Sequence, residues 1–163
     1  MKQVRLITDG ACKGNPGRGG WAFILRYGEF HKEAYGCSSH TTNNRMELAA
    51  AIEGLRRLKE RCAVEVVTDS EYVKNGITRW INGWKRNHWR KSDKGPVNNQ
   101  DLWMTLDELV NSHQTQWKWT KGHALDEDNN RCDELASQAA YEQISSEPRH
   151  GLDRYALHAE SRA

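Results

Sequence analysis

Hydrophobic and polar positions alternate along the first part of the chain and then change to a helical period. Residues 3–9 alternate around β-branched side chains and run into Gly10, which predicts a first strand. Residues 21–28 and 30–39 predict two more strands, and the short glycine-bearing turns between the three favour an antiparallel meander. From Asn44 the apolar positions predict an amphipathic helix; they are Leu48, Ala51, Ile52, Leu55 and Leu58.

The rest of the pattern predicts two short strands among helices. Residues 65–68 and 116–120 are typical of strands, whereas 71–91, with a break near Gly83, and 100–111 are typical of helices. A last helix is predicted by apolar residues at Cys132, Leu135, Ala136, Ala139 and Ala140. This order predicts an α/β protein with a mixed sheet and helices on both faces.

Length and composition predict one domain followed by a polar tail. The 163 residues match a single domain of ~100–200 residues. We expect this domain to span residues 1–144. Residues 145–163 are polar and show no clear period, so we expect a loosely ordered tail.

The apolar runs and the cysteines limit the compartment. The longest apolar runs have five residues, far short of the ~20 that span a bilayer. No apolar leader follows Met1, so we expect a cytoplasmic protein without a membrane partner. Cysteines 12, 37, 62 and 132 lack CxxC spacing, which fits reduced thiols in that compartment.

One short segment carries most of the positive charge. Residues 79–94 hold six Lys or Arg side chains against one Asp, although the net charge of the whole chain is only +2. Trp80, Trp84 and Trp89 are interleaved with these charges. Cations beside flat aromatic rings suit the phosphates, sugars and bases of a nucleic acid. The alternative is a solvated helix face whose tryptophans point into the core.

Four carboxylates occur at the ends of predicted elements. Asp9 and Asp69 each end a strand, Glu47 lies in the first turn of the first helix, and Asp133 lies in the first turns of the last helix. Each has a structural alternative, because Glu47 after Asn44 resembles a capping box, Asp133 suits the helix dipole, and the other two can form turns. If the strands are neighbours and both helices begin on that side, the four side chains converge.

Converging carboxylates repel one another unless a cation is present. Ligands that are all oxygen atoms favour a hard ion such as Mg²⁺ or Mn²⁺. Carboxylates that bind two such ions are typical of nucleases and polymerases. Together with the basic, tryptophan-containing segment, the acids predict metal-dependent cleavage of a phosphodiester.

Five motifs at these positions resemble the bacterial type 1 ribonuclease H family. They stand in family order and spacing between residue 2 and about residue 142, and they are TDGACKGNPG (8–17), TTNNRMELAAAI (41–52), VTDSEYV (67–73), DLW (101–103), and TKGH (120–123) with NNRCDELA (129–136). The resemblance implies a three-layer α/β/α fold on a five-stranded mixed sheet. It also implies endonucleolytic hydrolysis of the RNA strand of RNA/DNA hybrids, leaving 5′-phosphate and 3′-hydroxyl ends.

The resemblance further implies roles for individual residues. The implied ligands of two Mg²⁺ ions, with Mn²⁺ as a substitute, are Asp9, Glu47, Asp69 and Asp133. His123 matches a loop histidine that assists proton movement or product departure. A loop histidine otherwise reads as an exposed spectator.

Substrate contacts are implied at three places. The positions along the RNA minor groove, where the 2′-hydroxyl identifies RNA, are Cys12, Asn15, Asn43 and Asn44; for Cys12 the alternative is a small buried hydrophobe. The basic segment that grips the hybrid includes Trp80, Trp84, Lys85, Arg86, Trp89 and Arg90. Thr42 and Asn99 match a pocket for a DNA phosphate. We expect a monomer whose partner is the hybrid, with no obligate protein partner.

Two departures and two alternatives accompany this interpretation. The family pattern often has Arg at the position of His40 and Gln at that of Glu71, but no departure removes an implied metal ligand. A related sheet with clustered acids also serves integrase-like strand transfer and proofreading exonucleases, which act on DNA. The other alternative is a non-catalytic hybrid-binding module. Four like charges beside a phosphate argue against such a module.

Overall fold

A mixed sheet forms the middle layer of the molecule. The computed structural model describes residues 1–121, 126–148 and 151–157. The strands in these ranges lie in the order β3-β2-β1-β4-β5 and are β1 (Lys2–Lys13), β2 (Gly17–Tyr27), β3 (Phe30–Thr41), β4 (Cys62–Thr68) and β5 (Gln114–Trp119). The first three pair antiparallel, as predicted, while β4 joins β1 and β5 joins β4 in parallel.

Helices cover both faces of this sheet. One face carries α1 (Asn43–Arg56), α2 (Glu71–Asn75), a π-helical turn (Gly76–Trp80), α3 (Ile81–Arg86) and α4 (Gln100–Asn111), and the other carries α5 (Glu127–Glu142). The larger core lies between the sheet and α1, and smaller clusters lie under α5. This arrangement confirms the expected three-layer α/β/α fold.

Helix α1 forms where the helical spacing predicts it, and it begins after a side-chain cap. The hydroxyl of Thr42 accepts a hydrogen bond from the Arg45 amide at 3.2 Å, because Thr42 itself is extended. Glu47 therefore lies in the second turn, beyond the reach of a capping box, so that alternative role for Glu47 is wrong. Its carboxylate does not cap the helix and is therefore available for other interactions.

Close contact between α1 and β1 depends on Gly10. A Cβ atom added at Gly10 would lie 2.5 Å from the amide nitrogen of Glu47. Only glycine allows the helix to approach the strand this closely. The approach brings Glu47 beside Asp9, the residue before that glycine.

The structure differs from the sequence prediction at Asp9. Strand β1 does not end there, because its antiparallel pairing with β2 continues to Lys13 opposite Arg18. Its parallel pairing with β4, however, stops at Ile7 opposite Val67. Asp9 therefore still lies just beyond the carboxyl end of the parallel pair, where active sites of such sheets gather.

The predicted helix 71–91 is also interrupted at a different place. The interruption is the π-helical turn that begins at Gly76, where the absence of a side chain leaves room for the ring of Trp103, and not Gly83. The helical run then ends at Arg86, because His88 and Trp89 both adopt positive φ angles. The residues up to α4 are irregular.

The described part of the tail is docked rather than loosely ordered. Tyr155 is buried, its carbonyl oxygen accepts hydrogen bonds from the Thr41 hydroxyl and the Arg45 guanidinium, and its hydroxyl donates to Glu53. Ser146 bonds the backbone of Tyr35 on β3. The buried Tyr155 ring and these hydrogen bonds hold the described part of the tail against β3 and α1.

Two expectations about the chain as a whole concern membranes and thiols. Among the helices in the described ranges, none has the length and apolarity needed to cross a bilayer. The four cysteines are free thiols.

Candidate active site

Three of the predicted acids meet at the carboxyl end of the parallel strands. Asp9 on β1, Glu47 on α1 and Asp69 directly after β4 each offer a carboxylate oxygen, and these atoms lie within 4.8 Å of one another. Asp9 and Glu47 are each only 6% exposed, whereas Asp69 is open to solvent. The cluster is thus a half-closed site with one accessible side.

Burial and mutual repulsion shift the protonation of this cluster. Burial, reinforced by the charges of Asp69 and Asp133, raises the pKa of Asp9 to about 8. Burial, then the charges of Asp9 and Asp69, raises the pKa of Glu47 well above its usual range, and burial also raises the pKa of Asp69. The apoprotein therefore keeps protons in the cluster near neutral pH that a cation would displace.

The donor set fits a hard divalent ion. All donors are carboxylate oxygens, and Oε1 of Glu47 is buried without a hydrogen-bond partner. A buried, unpaired carboxylate oxygen is costly unless a cation binds it. The residues present therefore satisfy the requirements of a divalent-metal site.

Asp133 reaches the cluster from the opposite layer. It lies in the second turn of α5 and lines a cavity of about 220 Å³ together with Asp9 and Asp69. Four residues that we did not predict line the same cavity, namely Thr8, Lys121, Asn129 and Asn130. The spacing of Asn129 to Asp133, one helical turn on the same face, is the signal that could have found it.

The residues expected along the RNA strand meet where the β1–β2 turn contacts the start of α1. The side-chain oxygen of Asn15 accepts from the Asn43 amide at 3.1 Å. Cys12 is half-buried, and its thiol faces the carbonyl oxygens of Gly14 and Thr41. Asn44 is exposed in the first turn of α1.

In the basic segment, two of the three tryptophans pack against the core and one is exposed. The rings of Trp84 and Trp89 pack partly buried against the core, and Trp84 lies 5.4 Å from the buried ring of Trp103. Trp80 is 38% exposed, and its ring centroid lies 5.9 Å from that of Trp84. The alternative of core-facing tryptophans therefore holds for two of the three.

Cations surround this exposed tryptophan. A cavity of about 330 Å³ is lined by Tyr72, Trp80, Trp84, Lys91, Val97 and Asn98. Arg86 and Arg90 are exposed, whereas Lys85 pairs with Asp107 at 3.2 Å. Lys91 pairs with Asp93 at 3.9 Å. Aromatic faces and the exposed Arg86 and Arg90 in one segment suit a nucleic-acid strand.

Thr42 and Asn99 come from different elements and are joined through Arg45. The Arg45 amide donates to the Thr42 hydroxyl, and its guanidinium donates to the Asn99 side-chain oxygen at 3.3 Å. The predicted pocket pair is thus physically connected. His123, by contrast, lies outside the described residues, and its role stays a prediction.

Comparison with known proteins identifies the family of this chain. The family model for RNase H matches residues 1–141. Ribonuclease H of Solibacter usitatus is 68% identical over 146 residues, which cover 90% of this chain and 100% of that one. Ribonuclease HI of Neisseria meningitidis serogroup B is 58% identical over 137 residues, covering 84% and 94%.

Solved structures share the fold. LC9-RNase H1, described as a type 1 RNase H with the type 2 active-site motif, superimposes with a TM-score of 0.80 and 31% identity over 99% of this chain and 83% of that one. LC11-RNase H1 in complex with an RNA/DNA hybrid gives a TM-score of 0.60 at 19% identity, over 85% and 97%. The matched model spans the acids, the basic segment and the sheet that joins them. This chain therefore belongs to the ribonuclease H family, whose members hydrolyse the RNA strand of RNA/DNA hybrids.

Proposed function

We propose that this chain cuts the RNA strand internally with two Mg²⁺ ions held by Asp9, Glu47, Asp69 and Asp133, and that it leaves 5′-phosphate and 3′-hydroxyl ends. The observation that carries this proposal is the buried, unpartnered Oε1 of Glu47 beside two further carboxylates. A pure binding module has no use for such a cluster next to a phosphate.

The protein's own part in the reaction is to hold ligands and to admit water. The four carboxylates would hold Mg²⁺, which would act as a Lewis acid toward the attacking water and the departing 3′-oxygen. Asp9 and Glu47 are held rigidly by the contact of β1 with α1, whereas Asp69 and Asp133 face the open side. Lys121 at that opening adds a cation near the scissile phosphate.

The hybrid is held along two tracks. The RNA strand lies against Cys12, Asn15, Asn43 and Asn44, whose amides and backbone groups both donate and accept hydrogen bonds at a 2′-hydroxyl. The DNA strand lies against Trp80 and the cations of the basic segment, with one of its phosphates at Thr42 and Asn99. The enzyme acts as a cytoplasmic monomer, and His123 assists proton movement or product departure.

A single labelled RNA strand tests the proposal. It is presented alone, paired with DNA, paired with RNA, and paired with DNA in the presence of EDTA. We expect internal cuts only in the DNA hybrid, with 5′-phosphate ends, and their loss with EDTA. Tight binding to the hybrid without cleavage in Mg²⁺ or Mn²⁺ would instead support the non-catalytic binding module.

A further inference from the structure

The C-terminal segment (residues 153–157) lies over the junction between β3 and α1. The Leu157 amide donates to the His40 carbonyl oxygen at 2.9 Å, and the Thr41 hydroxyl donates to the Tyr155 carbonyl oxygen at 2.8 Å. These two partners, His40 and Thr41, immediately precede Thr42. The segment therefore holds the backbone that leads into the phosphate-binding threonine.

Arg45 holds the same threonine from the other side. Its side chain is only 3% exposed. Its Nε donates to the Tyr155 carbonyl oxygen at 2.8 Å, and one Nη donates to the Arg154 carbonyl oxygen at 3.3 Å. Because the Arg45 amide also binds the Thr42 hydroxyl, Thr42 lies between two attachments to the C-terminal segment.

The opposite edge of the Arg45 guanidinium reaches the second pocket residue. Nη1 donates to the Asn99 side-chain oxygen at 3.3 Å, and the two Nη atoms bind the Asp101 carboxylate at 3.0 and 2.9 Å. A guanidinium is planar and rigid, so acceptors on one edge determine where the other edge lies. The guanidinium thereby links the carbonyl groups of the C-terminal segment to the Asn99 side chain.

These bonds also orient the donors that remain for a phosphate. The Thr42 oxygen accepts from the Arg45 amide, which leaves the hydroxyl proton to be donated elsewhere. The Asn99 oxygen is occupied by Arg45, and its amide nitrogen gives one hydrogen to the Tyr72 hydroxyl, which leaves a second hydrogen. The Thr42 hydroxyl proton and one Asn99 amide hydrogen thus remain available to donate to an anion.

We propose that the C-terminal segment is a positioning element for the DNA-strand grip, acting through Arg45 on Thr42 and Asn99. The proposal rests on the proposed function, because it assumes that these two residues hold a DNA phosphate. The segment is anchored by its own side chains: Asp153 accepts from the Ser38 hydroxyl at 2.8 Å and the Ser39 amide at 3.2 Å, and the Tyr155 hydroxyl donates to Glu53. It is therefore built to hold one position.

The test compares a chain that ends at Leu152 with a control chain that ends at Leu157 and keeps every contact described above. The substrate is a hybrid whose cut is confined by a short run of ribonucleotides. Its DNA strand carries one uncharged methylphosphonate linkage, moved one position at a time. Steady-state KM and kcat are measured for each position below the melting temperature of the shorter chain.

We expect the intact and control chains to show a raised KM when the linkage at the pocket is neutralised. In the chain ending at Leu152, KM on the ordinary hybrid rises about tenfold while kcat changes less than about twofold, because a binding interaction made equally in the ground and transition states is lost. In this shorter chain, neutralising the linkage at the pocket no longer raises KM, whereas neutralising linkages held by the basic segment still does. General destabilisation of the chain would not remove the KM effect at one linkage alone.

Other outcomes overturn the proposal. If the shorter chain keeps the KM and the full penalty of the intact chain, the segment is only structural. If the intact chain cleaves hybrids but shows no penalty at any position away from the basic segment, the phosphate pocket itself is wrong. Absence of cleavage by the intact chain refutes the proposed function instead. Should the shorter chain fail to fold, the full-length Asp153→Ala/Tyr155→Phe variant undergoes the same measurement.

Discussion

Two buried charged side chains lie two residues apart on α1 and have opposite surroundings. Arg45 is 3% exposed, and its guanidinium is bonded to Asp101, to Asn99 and to two carbonyl groups of the C-terminal segment. Glu47 is 6% exposed, has an unpartnered oxygen, and faces two more acids. The protein surrounds the Arg45 guanidinium with acceptors, whereas it surrounds the Glu47 carboxyl group with other acids.

The difference follows from helix geometry and shows which of the two buried groups opposes folding. Residues at positions i and i+2 of a helix point to different sides, so Arg45 faces α4 and the C-terminal segment while Glu47 faces β1. The partners of Arg45 offset part of the cost of burying its charge, whereas the acids around Glu47 add to the cost of ionising it. In the proposed function, burial and the neighbouring acids at Glu47 favour a bound divalent ion.

Removal of one acid from the cluster should have the largest effect, on both cleavage and stability. Asp9→Asn should lower kcat/KM for hybrid cleavage at least about a thousandfold, since a metal ligand is lost. The same change should raise the melting temperature without metal, because one repelling carboxylate is removed. Cleavage assays and thermal melts in EDTA check both expectations. Near-normal turnover would refute the ligand assignment; Glu29→Gln, exposed in the β2–β3 turn, serves as the control.

Removal of the Arg45 charge should act on stability instead. Arg45→Met should lower the free energy of unfolding by about 3 kcal/mol, because several buried acceptors lose their donor. Urea denaturation measures the change. The matched control is Arg131→Met, which breaks an exposed bidentate pair with Glu33 at 2.8 Å and should matter little. Equal effects of the two variants would contradict the distinction between buried and exposed pairs.

The stability of the metal-free protein should decrease as the pH rises, because the acidic cluster holds protons in the folded state. Asp9 has an ordinary pKa of 3.8 that rises to about 8 in the folded protein. The folded state therefore binds more protons than the unfolded state across this window, and the stability present below pH ~4 is lost as the pH rises to ~8. The decrease should reach about 1.4 kcal/mol per pH unit for one extra proton.

Urea titrations in EDTA at several pH values measure this slope. Asp9→Asn should flatten it, and saturating Mg²⁺ should reduce it because the ion replaces the protons. A slope that is identical in the variant and the unaltered chain would show that the acids do not repel in solution.

Exposed charges of the basic segment should give the smallest effect. Charge reversal at Arg86 and Arg90 should raise KM about fivefold and flatten the dependence of log KM on log salt concentration, with kcat nearly unchanged. Lys85→Glu is a useful comparison because it also breaks an ion pair with Asp107. An unchanged KM in all of these variants would exclude the segment as the substrate grip.

The prediction of the fold from sequence succeeded where the pattern is local. The spacing of Leu48, Ile52 and Leu55 predicted α1, and the range predicted for α4 is the observed one. The break in helix 71–91 was misplaced, because it depends on Trp103 packing against Gly76 from a distant helix. Local periodicity contains no information about such a contact.

The site shows the same division. The motifs identified Asp9, Glu47, Asp69 and Asp133 as candidates. The pairing of β1 with β4 and the close approach of α1 at Gly10 bring the first three within 4.8 Å of one another. The sequence pattern did not single out Arg45 or Tyr155, because a charged residue and a tail tyrosine are ordinary in isolation. Their importance arises from contacts between residues about a hundred positions apart.

The sequence alone determined the element types, the acidic residues and the basic segment, because these depend on side-chain identity and short-range spacing. Tertiary structure alone decided that one carboxylate oxygen of Glu47 is buried without a hydrogen-bond partner, that Arg45 is buried with several partners, and that the C-terminal segment is docked. Burial and partnering depend on which distant backbones approach each other. A glycine at position 10 and a carbonyl group at position 155 set them here.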